Sequence, residues 1–176
     1  MAKLARLMSP DLPQYIEPAR LADNAESLKG TLGIDNMQRL LTIVDNRDAL
    51  ITFHLSFSRN EEEDVVVIDG GFSTELAVHC QRCLEPMVIR LEKVIRIAWG
   101  ADMTDVGSLA ADTEPLEVSE NRIALTDLIE DEVLLGLPMS PAHSPEECPA
   151  TELLQELQVS RENPFAVLKN LKTDKQ

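Results

Sequence analysis

Between Ile51 and Phe57 every second residue is apolar: Ile51, Phe53, Leu55 and Phe57 alternate with Thr52, His54, Ser56 and Ser58. Successive side chains of a β-strand leave opposite faces of the pleat, so this two-residue period specifies a strand with one buried face. A strand of this kind needs a neighbour on each side, and the chain therefore has to build a sheet. Met87 to Trp99 repeats the pattern, with Ile89, Leu91, Ile95 and Ile97 on one face and Arg90, Glu92 and Arg96 on the other. Val65 to Ile68 and Phe72 to Cys80 are expected to add a further strand or two, with Gly70-Gly71 as a bulge or tight turn between them. Met37 to Val44 is expected as another strand, and the acidic run Glu61-Glu62-Glu63-Asp64 as a solvated turn.

The flanks differ. Residues 1–18, with Pro10, Pro13 and Pro18, are expected to form an extended arm. Arg20 to Lys29 has helical composition with Leu21 and Leu28 on one face, closed by Gly30 and Gly33. Residues 101–120 are expected as an acidic loop with a short strand near Leu116 to Val118. A helix then runs from Thr126, a good N-cap, to about Leu135, with Leu125, Leu128, Ile129 and Val133 as its apolar stripe. Gly136-Leu137-Pro138 ends it, a short helix covers Thr151 to Leu157, and Asn163-Pro164 opens a last amphipathic turn through Leu171. The fold expected is α+β: one domain over residues 1–176, built on an antiparallel sheet of four to five strands, packed by a few helices and clamped by zinc, with residues 161–176 as a C-terminal tail.

Charge narrows the function. With 16 Lys+Arg against 31 Asp+Glu the chain carries −15, and nucleic acid is repelled by most of such a surface. A general RNA- or DNA-coating protein is excluded, and six aromatic residues are too few for a base-stacking platform. The acidity is uneven: residues 101–160 hold 14 carboxylates and a single base, Arg122. The one local basic cluster is Arg82, Arg90, Lys93 and Arg96, where Arg90 and Arg96 share a strand face. It is either a small phosphate-contacting patch or a set of arginines paired with surplus carboxylates. No apolar run resembles a signal peptide or a membrane span, so a cytoplasmic protein without membrane contact is expected.

Three cysteines argue for metal or reactive thiols rather than a disulfide framework. Cys80-Gln81-Arg82-Cys83 sits at a strand end, where a turn puts both sulfurs on one side, and His143 and Cys148 form a second soft-ligand pair downstream. Together they make a closed tetrahedral zinc set; the alternative is that His143 and Cys148 are incidental loop residues, since their gap is wide for a knuckle. His79 is a possible substitute ligand. A redox pair would need a helix N-terminus to activate one thiol, and Pro86 and a strand follow instead. Catalytic zinc needs an open position, which four soft ligands close. Ser56, Ser58 and His54 lie on a solvated strand face without a nucleophile turn, and Glu130, Asp131 and Glu132 diverge around a helix. There is no phosphate-cradling loop, so no small-molecule substrate is expected.

Four motifs in order, Cys80-Gln81-Arg82-Cys83-Leu84, Asp127 to Pro138, His143 to Cys148 and Asn163 to Leu168, resemble the YceD family, also called large ribosomal RNA subunit accumulation protein. The resemblance covers nearly the whole chain. It implies a non-enzymatic bacterial cytosolic factor, with plastid relatives, needed for normal levels of large-subunit (23S-type) ribosomal RNA. Some members are similar in carrying four cysteines in the two motifs, where this chain has His143 near the third. Two partners fit that role: a structured element of pre-rRNA touched by Arg82, Arg90 and Arg96, or a basic ribosomal protein of the large subunit held by the acidic segment 101–160. Electrostatic steering favours the second. The rival from another class is a metal-dependent RNA hydrolase working through the Cys/His quartet.

Overall fold

The structure, a computed structural model, describes residues 12–61, 64–100, 113–117 and 121–159. In chain order the elements are β1 (Tyr15–Ile16), α1 (Pro18–Asp23), β2 (Ser27–Gly33), two 3-10 turns (Ile34–Asn36 and Leu40–Thr42), β3 (Leu50–Asn60), β4 (Val65–His79), β5 (Pro86–Gly100), β6 (Glu114–Glu117), β7 (Ile123–Ala124), α2 (Leu125–Gly136) and α3 (Ala150–Val159). The architecture is α+β: a five-stranded sheet in the order β2-β3-β4-β5-β6, with β1 and β7 forming a separate two-stranded pair. All neighbours in the large sheet are antiparallel except β5 and β6, which run parallel, so the fully antiparallel sheet expected is corrected at its last strand. No described helix is long and apolar enough to cross a membrane.

Period-2 patterning decides which face is buried. Ile51, Phe53, Leu55 and Phe57 of β3 are each at most 2% exposed, and Val66, Ile68, Phe72, Leu76 and Val78 of β4 and Leu91, Ile95 and Ile97 of β5 continue the same inner face. Each such side chain contributes about 1.5–3 kcal/mol by leaving water. Leu21 and Ala22 of α1, the 3-10 turns and the stripe Leu125, Leu128, Ile129 and Val133 of α2 close over it to form one core. Glu61 and Asp64 turn the chain between β3 and β4, as the acidic run predicts.

Four expectations are corrected. The helix expected over Arg20 to Lys29 is only α1, because Ala25 takes a left-handed φ of 50° and its N–H, with that of Glu26, bonds back to Ala22 and Leu21. Lys29 to Gly33 then pairs with β3, and Gly30 does not close a helix: it leaves room for the Leu12 side chain on the strand. Met37 to Val44 is no strand. Ile34, Met37, Leu40 and Val44 are buried at spacings of three and four, a helical rather than a strand period, and Ile34 and Leu40 open the two 3-10 turns. At the start of α2 the N-cap position is Ala124, so Thr126 stands inside the first turn. Finally, Gly70-Gly71 makes neither bulge nor turn, since β4 runs unbroken with Gly70 opposite both Leu55 and Ile95.

The reason for glycine at position 70 is close approach. A Cβ there would stand 2.0 Å from the His54 carbonyl oxygen, a backbone atom held by the ladder. Gly70→Ala is therefore expected to destabilise the fold by about 2 kcal/mol, read as a lower urea midpoint at unchanged slope. A midpoint equal to that of the wild type would show that the strands separate there at no cost. The short strand expected near Leu116 is β6. Most of the acidic loop, most of the N-terminal arm and the amphipathic turn after Asn163 lie outside the described residues.

Candidate metal centre

The β4–β5 connection builds half of the cluster. Cys80 follows the last residue of β4, its N–H donates to the Glu85 carbonyl at 2.9 Å, and the Leu84 N–H returns to the Cys80 carbonyl at 2.8 Å. Leu84 accepts a left-handed φ of 63° to close this turn. The second half is the loop after α2. The Gln81 N–H reaches the Pro141 carbonyl at 2.7 Å and so ties that loop to the first turn. A further turn, with the Glu147 and Cys148 N–H groups both on the Ser144 carbonyl, takes up the long interval between His143 and Cys148. The spacing that is wide for a knuckle on paper is thus absorbed by one extra turn.

Cys80, Cys83, His143 and Cys148 converge, with ligand atoms all within 4.8 Å of one another. Cys83 Sγ and His143 Nδ1 are 3.3 Å apart. A tetrahedral zinc with Zn–S of about 2.3 Å requires sulfur–sulfur edges of about 3.8 Å, so the four atoms stand at the scale of a single ion's shell. Cys80 and Cys148 are buried. Burial pushes the Cys80 thiol up, but the N–H groups of Cys83, His143 and Arg82 outweigh it and bring the thiol down to about 5. The Arg82 and His143 N–H groups each lie 3.4 Å from Cys80 Sγ. The Glu85 N–H lowers the Cys83 thiol, yet burial and the neighbouring Cys80 and Cys148 leave it above its ordinary value. One thiolate already formed beside three further soft or borderline donors is a set that could hold a metal ion. The sequence shows which donors exist; the N–H groups that prepare Cys80 are set by a turn and leave no composition signal.

The other singled-out residues are placed as follows. His79 points away from the quartet, its Nδ1 3.1 Å from Asp45 Oδ2. Arg82 reaches across the turn to Thr151 Oγ1 of α3 at 3.3 Å. Arg90 Nε donates to Glu75 Oε1 at 2.9 Å and Arg96 Nε to Asp69 Oδ1 at 2.9 Å, so both arginines are held in cross-strand ion pairs on the open face of the sheet. Arg122, the one base of the acidic segment, lies over the Tyr15 ring at 5.0 Å.

Two carboxylates of α2 carry more than their helical positions suggest. Glu130 is 4% exposed and accepts from Arg39 and Leu40. Glu132 stands in a groove between α2 and β6, and burial, with Glu114 and Asp131 nearby, pushes its carboxyl up to about 7. Its place on the stripe of Leu125, Leu128 and Ile129, three residues past the last of them, is the legible signal. A carboxyl with a higher pKa folded than unfolded adds stability that is complete below about 4.5 and is lost as pH rises through about 7. Glu132→Gln is expected to remove that dependence. Between about pH 5 and about pH 8 the wild type should lose about 1–2 kcal/mol more than the variant, partial solvent contact having reduced the full effect. Urea unfolding of both proteins at both pH values checks this, and parallel losses would count against it.

Comparison with known proteins gives one consistent answer. Residues 68–172 match the family described as large ribosomal RNA subunit accumulation protein YceD. The protein of that name from Haemophilus influenzae is 33% identical over 170 residues, which cover 92% of this chain and 96% of the relative. No solved structure matches the chain.

Proposed function

The chain belongs to the YceD family of large ribosomal RNA subunit accumulation proteins, and on that premise we propose that it is a non-enzymatic cytoplasmic factor for accumulation of 23S-type ribosomal RNA that works by holding a basic protein of the large subunit. The observation that carries this reading is the segregation of charge. Residues 101–160 hold 14 carboxylates and one base, and that base, Arg122, is engaged with Tyr15. A basic chain is drawn to such a surface at long range, whereas RNA is repelled by it. The open sheet face offers RNA little in exchange, because Arg90 and Arg96 already face Glu75 and Asp69.

Zinc on Cys80, Cys83, His143 and Cys148 has a structural part in this reading. It would join the β4–β5 turn to the loop that leads into α3, keeping that loop in one shape. Four protein donors leave no open position for a substrate, which separates this role from hydrolysis.

Crosslinking in growing cells, followed by RNA sequencing and protein identification, tests the reading. Recovery of one basic large-subunit protein with no sharp RNA peak is the expected result. A peak in a large-subunit rRNA precursor that disappears with Arg90→Glu plus Arg96→Glu would overturn it in favour of direct RNA contact.

A further inference from the structure

The groove between α2 and β6 has a volume of about 410 Å³, inside the range of about 300–1,000 Å³ typical of binding clefts. Its walls are apolar, with Leu116 from β6 and Leu128, Leu134 and Leu135 from α2. Leu135 is 69% exposed and carries this apolar lining out to the surface. The rim is acidic. Among the described residues lining it Arg39 is the only base, and its guanidinium is committed to Glu130 and Asp131 rather than to Glu114 and Glu132.

We propose that this groove is a docking slot for a basic amphipathic segment of a partner protein, whose apolar side chains cover Leu134 and Leu135 while a lysine or arginine sits beside Glu114 and Glu132. The inference rests on the carrier reading and gives it a location. Charge complementarity selects the occupant: phosphate is repelled by the two carboxylates, and a cation relieves their mutual repulsion. Burial chiefly raises the proton affinity of Glu132, and Glu114 and Asp131 add to it, so a cation placed between these carboxylates is favoured. An amphipathic helix laid in an apolar groove is a common recognition mode, and its basic face would answer the surrounding acidity.

The probe is a fluorescein-labelled peptide of about 14 residues, with leucines at helical i, i+3, i+4 and i+7 spacing and lysines elsewhere, followed by anisotropy with the full chain at about 0.15 M salt. Glu114→Lys and Leu135→Ser are each expected to weaken binding at least fivefold, while Glu146→Lys, an equal charge change in the metal-site loop, leaves it within twofold. Leu135 and Glu114 are exposed, so both variants should fold, and circular dichroism confirms it. Equal weakening by both charge variants with no effect of Leu135→Ser would overturn the groove as the site. So would a dimer dispersed by Leu135→Ser, which assigns the groove to a second copy. Tighter peptide binding after Lys169→Glu plus Lys172→Glu would also overturn it, giving the groove to the chain's own tail. Failure here is separable from failure of the carrier reading: if Leu135→Ser crosslinks the basic ribosomal protein in cells as well as wild type does, the slot falls and the carrier stands.

Discussion

Cys80→Ser is expected to lower bound zinc from about one ion per chain to under a tenth of that, and to reduce the melting temperature by about 6–12 °C. Structural zinc contributes on the order of 10 kcal/mol to small domains that depend on it wholly, but the sheet here has its own core, so only the attached loop is at stake. That loop has little else to hold it. Met139 is fully exposed, residues 137–149 form no helix or strand, and among the described residues the ties to the body include Leu137 packed against the core, the Gln81 to Pro141 hydrogen bond, the reach of Arg82 to Thr151 and the quartet itself. A loss of about 3 kcal/mol, at about 2–4 °C per kcal/mol for a chain of this size, gives the shift stated. Serine keeps the volume and loses the thiolate, so the effect reports coordination and not packing. His143→Cys should retain the ion, because sulfur replaces one donor by another of the same affinity class. Metal analysis of untagged protein purified without oxygen, with melts before and after a chelator, decides the matter. A wild type that holds no zinc and melts unchanged in chelator would make the quartet a packing cluster.

How much of this was legible depends on the range of the interaction. The period-2 runs at Ile51 to Phe57 and Met87 to Trp99 became β3 and β5, because one buried face imposes alternation residue by residue. The candidate donors were legible for a different reason: thiol and imidazole side chains are scarce here, three of each, so those at Cys80, Cys83, His143 and Cys148 stand out. Local signals failed where a distant partner decided. Gly70-Gly71 looks like punctuation, but the His54 carbonyl beside Gly70 and the Lys93 carbonyl beside Gly71, on the two neighbouring strands, leave no room for side chains. Gly30 and Gly33 drew the end of α1 too late, since Ala25 made the left-handed turn that glycine usually makes. Parallel pairing of β6 with β5 also has no local mark, since it depends on how the chain crosses back to the sheet edge.

Glu130 is the clearest case of a role that local reading misses, and Glu130→Ala is expected to cost about 3–5 kcal/mol. On the sequence it is one of three consecutive acids that diverge around a helix. In the fold its side chain is buried against the 3-10 turns: Oε1 accepts from the N–H of Arg39 at 2.8 Å and of Leu40 at 3.0 Å, and Oε2 accepts from Arg39 Nε at 3.1 Å and Nη2 at 2.9 Å. Two of these donors are backbone groups, one of them buried, and removing the carboxylate leaves them without a partner. Arg39→Ala should cost far less, about 1 kcal/mol, because the guanidinium is 53% exposed and the backbone donors keep their acceptor. The ratio between the two variants is therefore the informative quantity. If the link were an ordinary surface ion pair, the two losses would be equal and small in urea unfolding. A loss several times larger for Glu130 than for Arg39 identifies the carboxylate as the cap that fastens the Ile34 to Val44 segment onto α2, and so sets the wall from which Arg39 and Asp131 border the groove.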